Sequence, residues 1–246
     1  MIDILNKIYK DSKESFYNSL REKLEKEEKA FVITANPEII MMSQENPRLV
    51  SLLLNSETTV VPDGIGVIKY GKKLDIHIQE KITGIDLTES LFELANQTNK
   101  SIYCYGSKQK TLDSLKGVLE SIYPNIQIKG LKNGYDYKAE EVFRDIEQKE
   151  PDVVLIALGV PKQEIVIEEY YSKLKKGICV GVGGSLDVLS GNKKRAPMFL
   201  RKKNLEWLYR IIKEPRRVKR FYNYNLKFYI KMKSTKKKTD DERNDI

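Results

Sequence analysis

Apolar residues along the chain fall into short, nearly unbroken runs separated by stretches in which they recur every three or four positions. The runs at residues 30–34, 58–62, 101–105, 126–129, 153–157 and 178–181 predict buried strands. The intervening segments 37–44, 47–55, 86–96, 109–121, 139–148 and 162–173 predict helices, several of them opening on Pro or Asp. A further apolar helical stretch follows Asp63, and a helix starting near Ser185 would follow the last run. Strand–helix alternation of this kind predicts an α/β fold, a Rossmann-like sandwich around a mainly parallel sheet. Ligands of such sheets bind beyond the carboxyl ends of the strands, so candidate chemistry is sought there.

Those strand ends carry a recurring set of polar residues and glycines. Thr34 and Asn36 leave the first run, where they can cap a helix or face a crevice. Asp63 leaves the second; it is either an N-cap or a carboxylate able to take a proton. Gly106 and Gly159 sit at later junctions and allow close backbone approach, and Gln163 lies in the first turn of its helix. The turn from Gly181 through Gly183 to Asp187 follows the last strand. Its amides and the helix start near Ser185 are suited to a phosphate or diphosphate, although a bare strand-to-helix turn explains the glycines equally.

Composition narrows the classes. The chain has 246 residues and one His, and its two Cys, Cys104 and Cys179, lie in separate apolar runs, which argues against a disulfide framework or a His/Cys metal cluster. No apolar run reaches the length of a membrane-spanning helix and the first residues do not read as a signal peptide, so a cytoplasmic protein is expected. The net charge of +9 is uneven: residues 1–192 carry −4, residues 193–238 carry +16 and the last eight carry −3. A basic tail on a slightly acidic body points to a polyanionic partner, a nucleic acid or an anionic membrane face. The expected organisation is a core at 1–192, a basic, aromatic, α-helical appendage at 193–232 and a disordered tail at 233–246.

Several segments taken together resemble the WecG/TagA/CpsF family of bacterial glycosyltransferases. They are Thr34-Ala35-Asn36-Pro37-Glu38, Pro62-Asp63-Gly64-Ile65-Gly66, Thr83-Gly84-Ile85-Asp86-Leu87, Leu158-Gly159-Val160-Pro161-Lys162-Gln163-Glu164, Gly181-Val182-Gly183, Arg195-Ala196-Pro197, Leu205-Glu206-Trp207-Leu208-Tyr209-Arg210 and Glu214-Pro215. The resemblance implies inverting transfer of a sugar, typically N-acetylmannosamine, from a UDP donor to an undecaprenyl-diphosphate-linked saccharide in cell-envelope polymer synthesis. It implies Asp63 as base and Thr34, Asn36 and Gln163 as pocket residues. Charge on the departing UDP would be met by the 181–185 amides and by Arg195, and Asp187 would reach the donor ribose or act as an internal cap. No Asp-x-Asp triplet occurs, so no cofactor or obligatory metal is expected.

Two positions depart from the family pattern. Lys81 stands where Arg is usual, keeping the charge but losing the two-pronged fork, and Asn204 stands where glycine is common. In the tail, Trp207, Tyr209, Phe221, Tyr222, Phe228 and Tyr229 interleave with Arg210, Arg216, Arg217 and Arg220. That pattern predicts a peripheral contact with the anionic inner face of the membrane, beside the lipid-linked acceptor, and apolar surface able to drive self-association in solution. A nucleic-acid partner is disfavoured, since no helix-turn-helix, RNP or zinc pattern is present.

Overall fold

The computed structural model describes residues 1–215 and 217–235; the side chain of Arg217 is not described. In chain order the elements are α1 (Ile2–Lys7), α2 (Lys13–Glu25), β1 (Lys29–Ala35), α3 (Pro37–Ser43), α4 (Pro47–Leu54), β2 (Thr58–Pro62), α5 (Ile65–Lys73) and α6 (Gly84–Gln97). There follow β3 (Ser101–Gly106), α7 (Gln109–Ile122), β4 (Gln127–Lys132), α8 (Ala139–Lys149), β5 (Val153–Ala157), α9 (Lys162–Tyr171) and β6 (Gly177–Gly181). The C-terminal part holds α10 (Ser185–Leu189), α11 (Met198–Lys202), α12 (Glu206–Lys213), α13 (Arg217–Arg220), a π-helical turn (Phe221–Leu226) and α14 (Lys227–Ser234).

All strands pair in parallel in one sheet of order β2-β1-β6-β5-β3-β4. Alternate residues of each strand feed two separate cores, as a two-residue side-chain period requires. Phe31, Ile33 and Ala35 of β1 face one core with α1, α3, α4, α5, α8 and α9. Ala30 and Val32 face the other with α2, α6, α7 and α10. Neighbouring β1 and β6 therefore send their following helices, α3 and α10, to opposite faces, which opens a crevice at their carboxyl ends.

Side-chain caps fix where the helices around this crevice begin. Asn36 Oδ1 accepts from the Ile39 N–H at 3.0 Å with Pro37 in the first turn of α3, and Thr83 Oγ1 accepts from the Asp86 N–H at 3.2 Å at the start of α6. The expected strands and helices are all present, with β4 displaced to Gln127–Lys132; α1 and α2 were not anticipated.

The C-terminal segment, expected to contact a membrane face, also packs on the body. Phe228 of α14 is fully buried against the Tyr70 ring, edge to face at 5.4 Å, and Lys73 Nζ donates to the carbonyls of Met232 and Lys233 at 2.8 Å. Apolar burial and these carbonyl contacts hold residues 217–235 against α3 and α5, so part of the aromatic set belongs to the body. Tyr222, at 66% exposure, and Ile230, at 59%, remain outside. Lys233, Ser234 and Thr235, expected in the disordered tail, include the end of α14; residues 236–246 lie outside the described residues.

Candidate active site

The crevice is a cleft of about 720 Å³, walled by the strand ends on one side and by α12, the π-helical turn and α14 on the other. Asp63 follows β2 directly, its N–H donating to the Ala35 carbonyl at 2.9 Å, which carries the register of β1 and β2 one residue past the strand. Its carboxylate faces the cleft with no hydrogen bond or ion pair among the described residues. Burial within the cleft walls pushes its pKa up to about 6; Arg210 opposes the shift, Glu206 and Asp86 add to it, and Lys81 opposes it. A carboxylate so placed is half-titrated near pH 6 and mostly ionised at neutrality, where it is available as a proton acceptor.

Around Asp63 the cleft gathers Thr34, Asn36, Lys81, Gly159, Gln163, Gly181, Gly183, Asp187, Arg210 and Arg220, so nearly all the residues singled out in the sequence converge. Their detailed contacts correct several of the expected roles. Gly106 does not line the cleft: a Cβ there would lie 2.4 Å from the Ala157 carbonyl oxygen, so glycine is required by strand β5 and not by a ligand. The Gly183 amide is already donated to Gln163 Oε1 at 3.0 Å, which removes it from a diphosphate cradle. Gly181 is glycine because Gln163 Nε2 would sit 2.6 Å and Glu164 Oε1 2.9 Å from a Cβ.

Arg195 is likewise committed. Its guanidinium pairs with Asp86, lies 3.5 Å from Glu89 and 4.0 Å from Glu206, and is absent from the cleft wall. Against the burial that would raise it, this arginine and the Thr83 hydroxyl hold the Asp86 carboxyl below the usual range. Asp187 lines the cleft, but its carboxylate is already engaged within the protein. Ser107 Oγ and Thr111 Oγ1 each donate to its Oδ1 at 2.9 Å, and Lys193 pairs with Oδ2 at 2.9 Å. Asp187 thus ties α10 to the start of α7, and these partners hold its carboxyl low despite burial.

The two departures from the family pattern touch each other. Lys81 Nζ donates to Asn204 Oδ1 at 2.6 Å, linking the segment before α6 to the turn between α11 and α12. Asn204 has φ +58°, a left-handed conformation that glycine enters freely and Asn tolerates. Of the appendage arginines, Arg210 lines the cleft and pairs with Glu206 at 3.0 Å. Arg220 bridges the start of α3 to the loop after β5 through Glu38 at 2.6 Å and the Val160 carbonyl at 3.5 Å. Arg216 lies outside the described residues.

Other cleft residues were not singled out from the sequence. Lys108 and Lys110 stand at the cleft mouth with no acidic partner among the described residues, and Tyr135 projects there at 74% exposure. Trp207 and Phe221, named above in the pattern of the tail, also line the cleft and stack at 4.9 Å. The lysines had a readable signal, since they flank a strand-to-helix junction; Tyr135 had one too, since it follows the turn dipeptide Asn133-Gly134, whose Asn Oδ1 accepts from the Tyr135 and Asp136 N–H groups. Beside the cleft a smaller pocket of about 270 Å³ is lined by Val188, Ala196, Tyr209 and the cations Lys193, Lys194, Arg195, Arg210 and Lys213, with Glu206 and Glu214.

The family described as glycosyl transferase WecG/TagA/CpsF matches residues 2–242. The chain belongs to this family. A Bacillus spizizenii relative named N-acetylglucosaminyldiphosphoundecaprenol N-acetyl-beta-D-mannosaminyltransferase is 39% identical over 80% of this chain and 76% of its own. The Bacillus subtilis protein of that name is 38% identical over 78% and 74%, and a Staphylococcus aureus one is 31% identical over 85% and 81%. As a WecG/TagA/CpsF glycosyltransferase, the protein presents its cleft at the place its parallel sheet dictates, and no described helix is long and apolar enough to cross a membrane.

Proposed function

We propose that the protein transfers an N-acetylmannosaminyl residue from a UDP-linked donor to a GlcNAc-diphospho-undecaprenol acceptor, inverting the anomeric centre, in cell-envelope polymer synthesis. The observation that carries this reading is the unpartnered Asp63 carboxylate, raised to about 6, in the cleft at the carboxyl ends of the sheet. Asp63 takes the proton of the acceptor hydroxyl as that oxygen attacks C1 of the donor sugar, and the bond to the UDP oxygen breaks on the opposite face. Negative charge developing on the UDP diphosphate falls to cations of the cleft wall, with Lys81, Arg210, Lys108 and Lys110 in reach of the lumen. Gly159, with φ +81° and open space where a side chain would stand, leaves room for the ligand.

The adjoining pocket suits the acceptor's diphosphate and first isoprene unit, since its cations outnumber its acids and its remaining wall is apolar or aromatic. Exposed Met198, Phe199 and Ile212 beside the basic residues of α11 and α12 support seating on an anionic membrane face, where the acceptor resides. The same surface supports self-association in the absence of lipid. The test is UDP release by the purified protein with a lipid-diphosphate-GlcNAc analogue and a panel of UDP-sugars. Release that requires the acceptor and UDP-N-acetylmannosamine, and is lost in Asp63→Asn, is expected. Release with another UDP-hexose only would move the donor assignment, and release untouched by Asp63→Asn would remove the base.

A further inference from the structure

Glu164 is a buried carboxyl that the transfer chemistry above does not use. It is 1% exposed, its Oε1 accepts from Gln163 Nε2 at 2.7 Å, and its Oε2 is buried without a hydrogen-bond partner among the described residues. Burial raises its pKa to about 7, with Gln163 opposing the shift. The other end of Gln163 is shared between two loops: Oε1 accepts from the Gly159 N–H at 3.1 Å and from the Gly183 N–H at 3.0 Å. Gln163 is itself 2% exposed, so its amide can satisfy these partners in one orientation only, oxygen toward the loops and nitrogen toward Glu164.

We infer that Glu164 is a positioning residue for the donor site, acting through Gln163 on the glycine loops that follow β5 and β6. An amide nitrogen buried without an acceptor costs free energy, and Glu164 is the acceptor present. Removing it frees the Gln163 carboxamide to move, and both loops move with it because both N–H groups hang on the same oxygen. The close fit at Gly181 shows the other side of the clamp, since no atom larger than hydrogen fits between that backbone and the two side chains. The inference deepens the donor-site reading, and only its UDP arm depends on that reading.

The experiment compares Glu164→Met, which removes the acceptor, with Glu164→Gln, whose carbonyl oxygen keeps it. Amide hydrogen exchange at Gly159 and Gly183 is measured in the whole protein without ligand, and UDP affinity by calorimetry. Glu164→Met is expected to exchange both amides roughly tenfold faster and to weaken UDP roughly tenfold, while Glu164→Gln stays near the parent in both. The double variant Gln163→Met/Glu164→Met should bind UDP no more weakly than Gln163→Met alone, because one path carries both effects. Should Glu164→Met not fold, Gly181→Ala presses on the same pair from the sheet side and should speed the same two amides. Unchanged exchange in the folded variant, equal effects of Met and Gln, or additive losses in the double variant would overturn the inference. A parent protein that binds no UDP while the exchange pattern holds would instead remove the donor reading.

Discussion

Asp63 has no hydrogen bond or ion pair among the described residues, and burial outweighs the Arg210 and Lys81 charges in setting its ionisation, so burial acts on both rate and stability. In the role of base proposed above, a group with a pKa of about 6 predicts a kcat/KM that climbs about tenfold per pH unit below 6 and levels off above it. Replacing it by Asn should lower turnover roughly 10²–10⁴-fold. The same group weakens the fold where it is ionised. Its proton is held more tightly folded than unfolded, so the stability it confers is complete below the ordinary carboxylate pKa and is lost between about 4 and 6 as pH rises. Above that window Asp63→Asn should therefore stabilise the protein, by about 1–3 kcal/mol, or roughly 2–4 °C in Tm per kcal/mol for a chain of this size. Thermal melts of the two proteins at pH 4 and pH 8 check the sign: the gap should open only at the higher pH. A variant that is inactive and also less stable at pH 8 would mean that Asp63 serves the fold instead of the reaction.

At the scale of elements, α14 and the turn before α12 fasten the cleft's outer wall by two different means. Phe228 anchors α14 through apolar contact, and Phe→Ala in a buried site costs about 3–5 kcal/mol. Because α14 lies at the edge of one core, the loss should appear as local release: Phe228→Ala is expected to speed proteolysis within residues 217–235 far more than it lowers the main melting transition. Asn204 fastens the turn through its left-handed backbone and its bond to Lys81. Asn204→Ala loses the bond and strains the turn, whereas Asn204→Gly loses only the bond, so urea titration should rank Ala below Gly by about 1 kcal/mol. The elements differ in how far the sequence announced them. Strands β1, β5 and β6 are short apolar runs serving two cores at once and were plain; α3 carried its own Asn-Pro start. Helix α2 was missed because its mean hydropathy is low and its apolar stripe is only Phe16, Leu20 and Leu24. Site positions were legible from strand-end order, while the partners of Arg195, Asp187 and Gln163 depend on long-range contacts that no local pattern encodes.

Across the whole molecule the charge is divided between a body of −4 over residues 1–192 and a segment of +16 over residues 193–238. Part of that positive charge is spent inward, where Lys193, Arg195, Arg210 and Arg220 all pair with acids near the cleft. Of the rest, Arg201, Lys202 and Lys213 belong to α11 and α12, whose Met198, Phe199 and Ile212 are each more than half exposed. Apolar side chains raised beside uncompensated cations meet an anionic bilayer on two terms at once: insertion of the apolar tips and roughly 1 kcal/mol for each cation near the surface. The two terms separate experimentally. Met198→Ser/Phe199→Ser should reduce cosedimentation with anionic vesicles at all salt concentrations, whereas raising salt should weaken the parent and the variant in parallel by screening the cations. Neither protein should sediment with zwitterionic vesicles to a comparable extent. UDP affinity measured in the same samples should stay at the parent value in the serine variant, since neither side chain lines the cleft. Equal sedimentation of parent and variant would assign vesicle binding to charge alone and remove the membrane role proposed for α11.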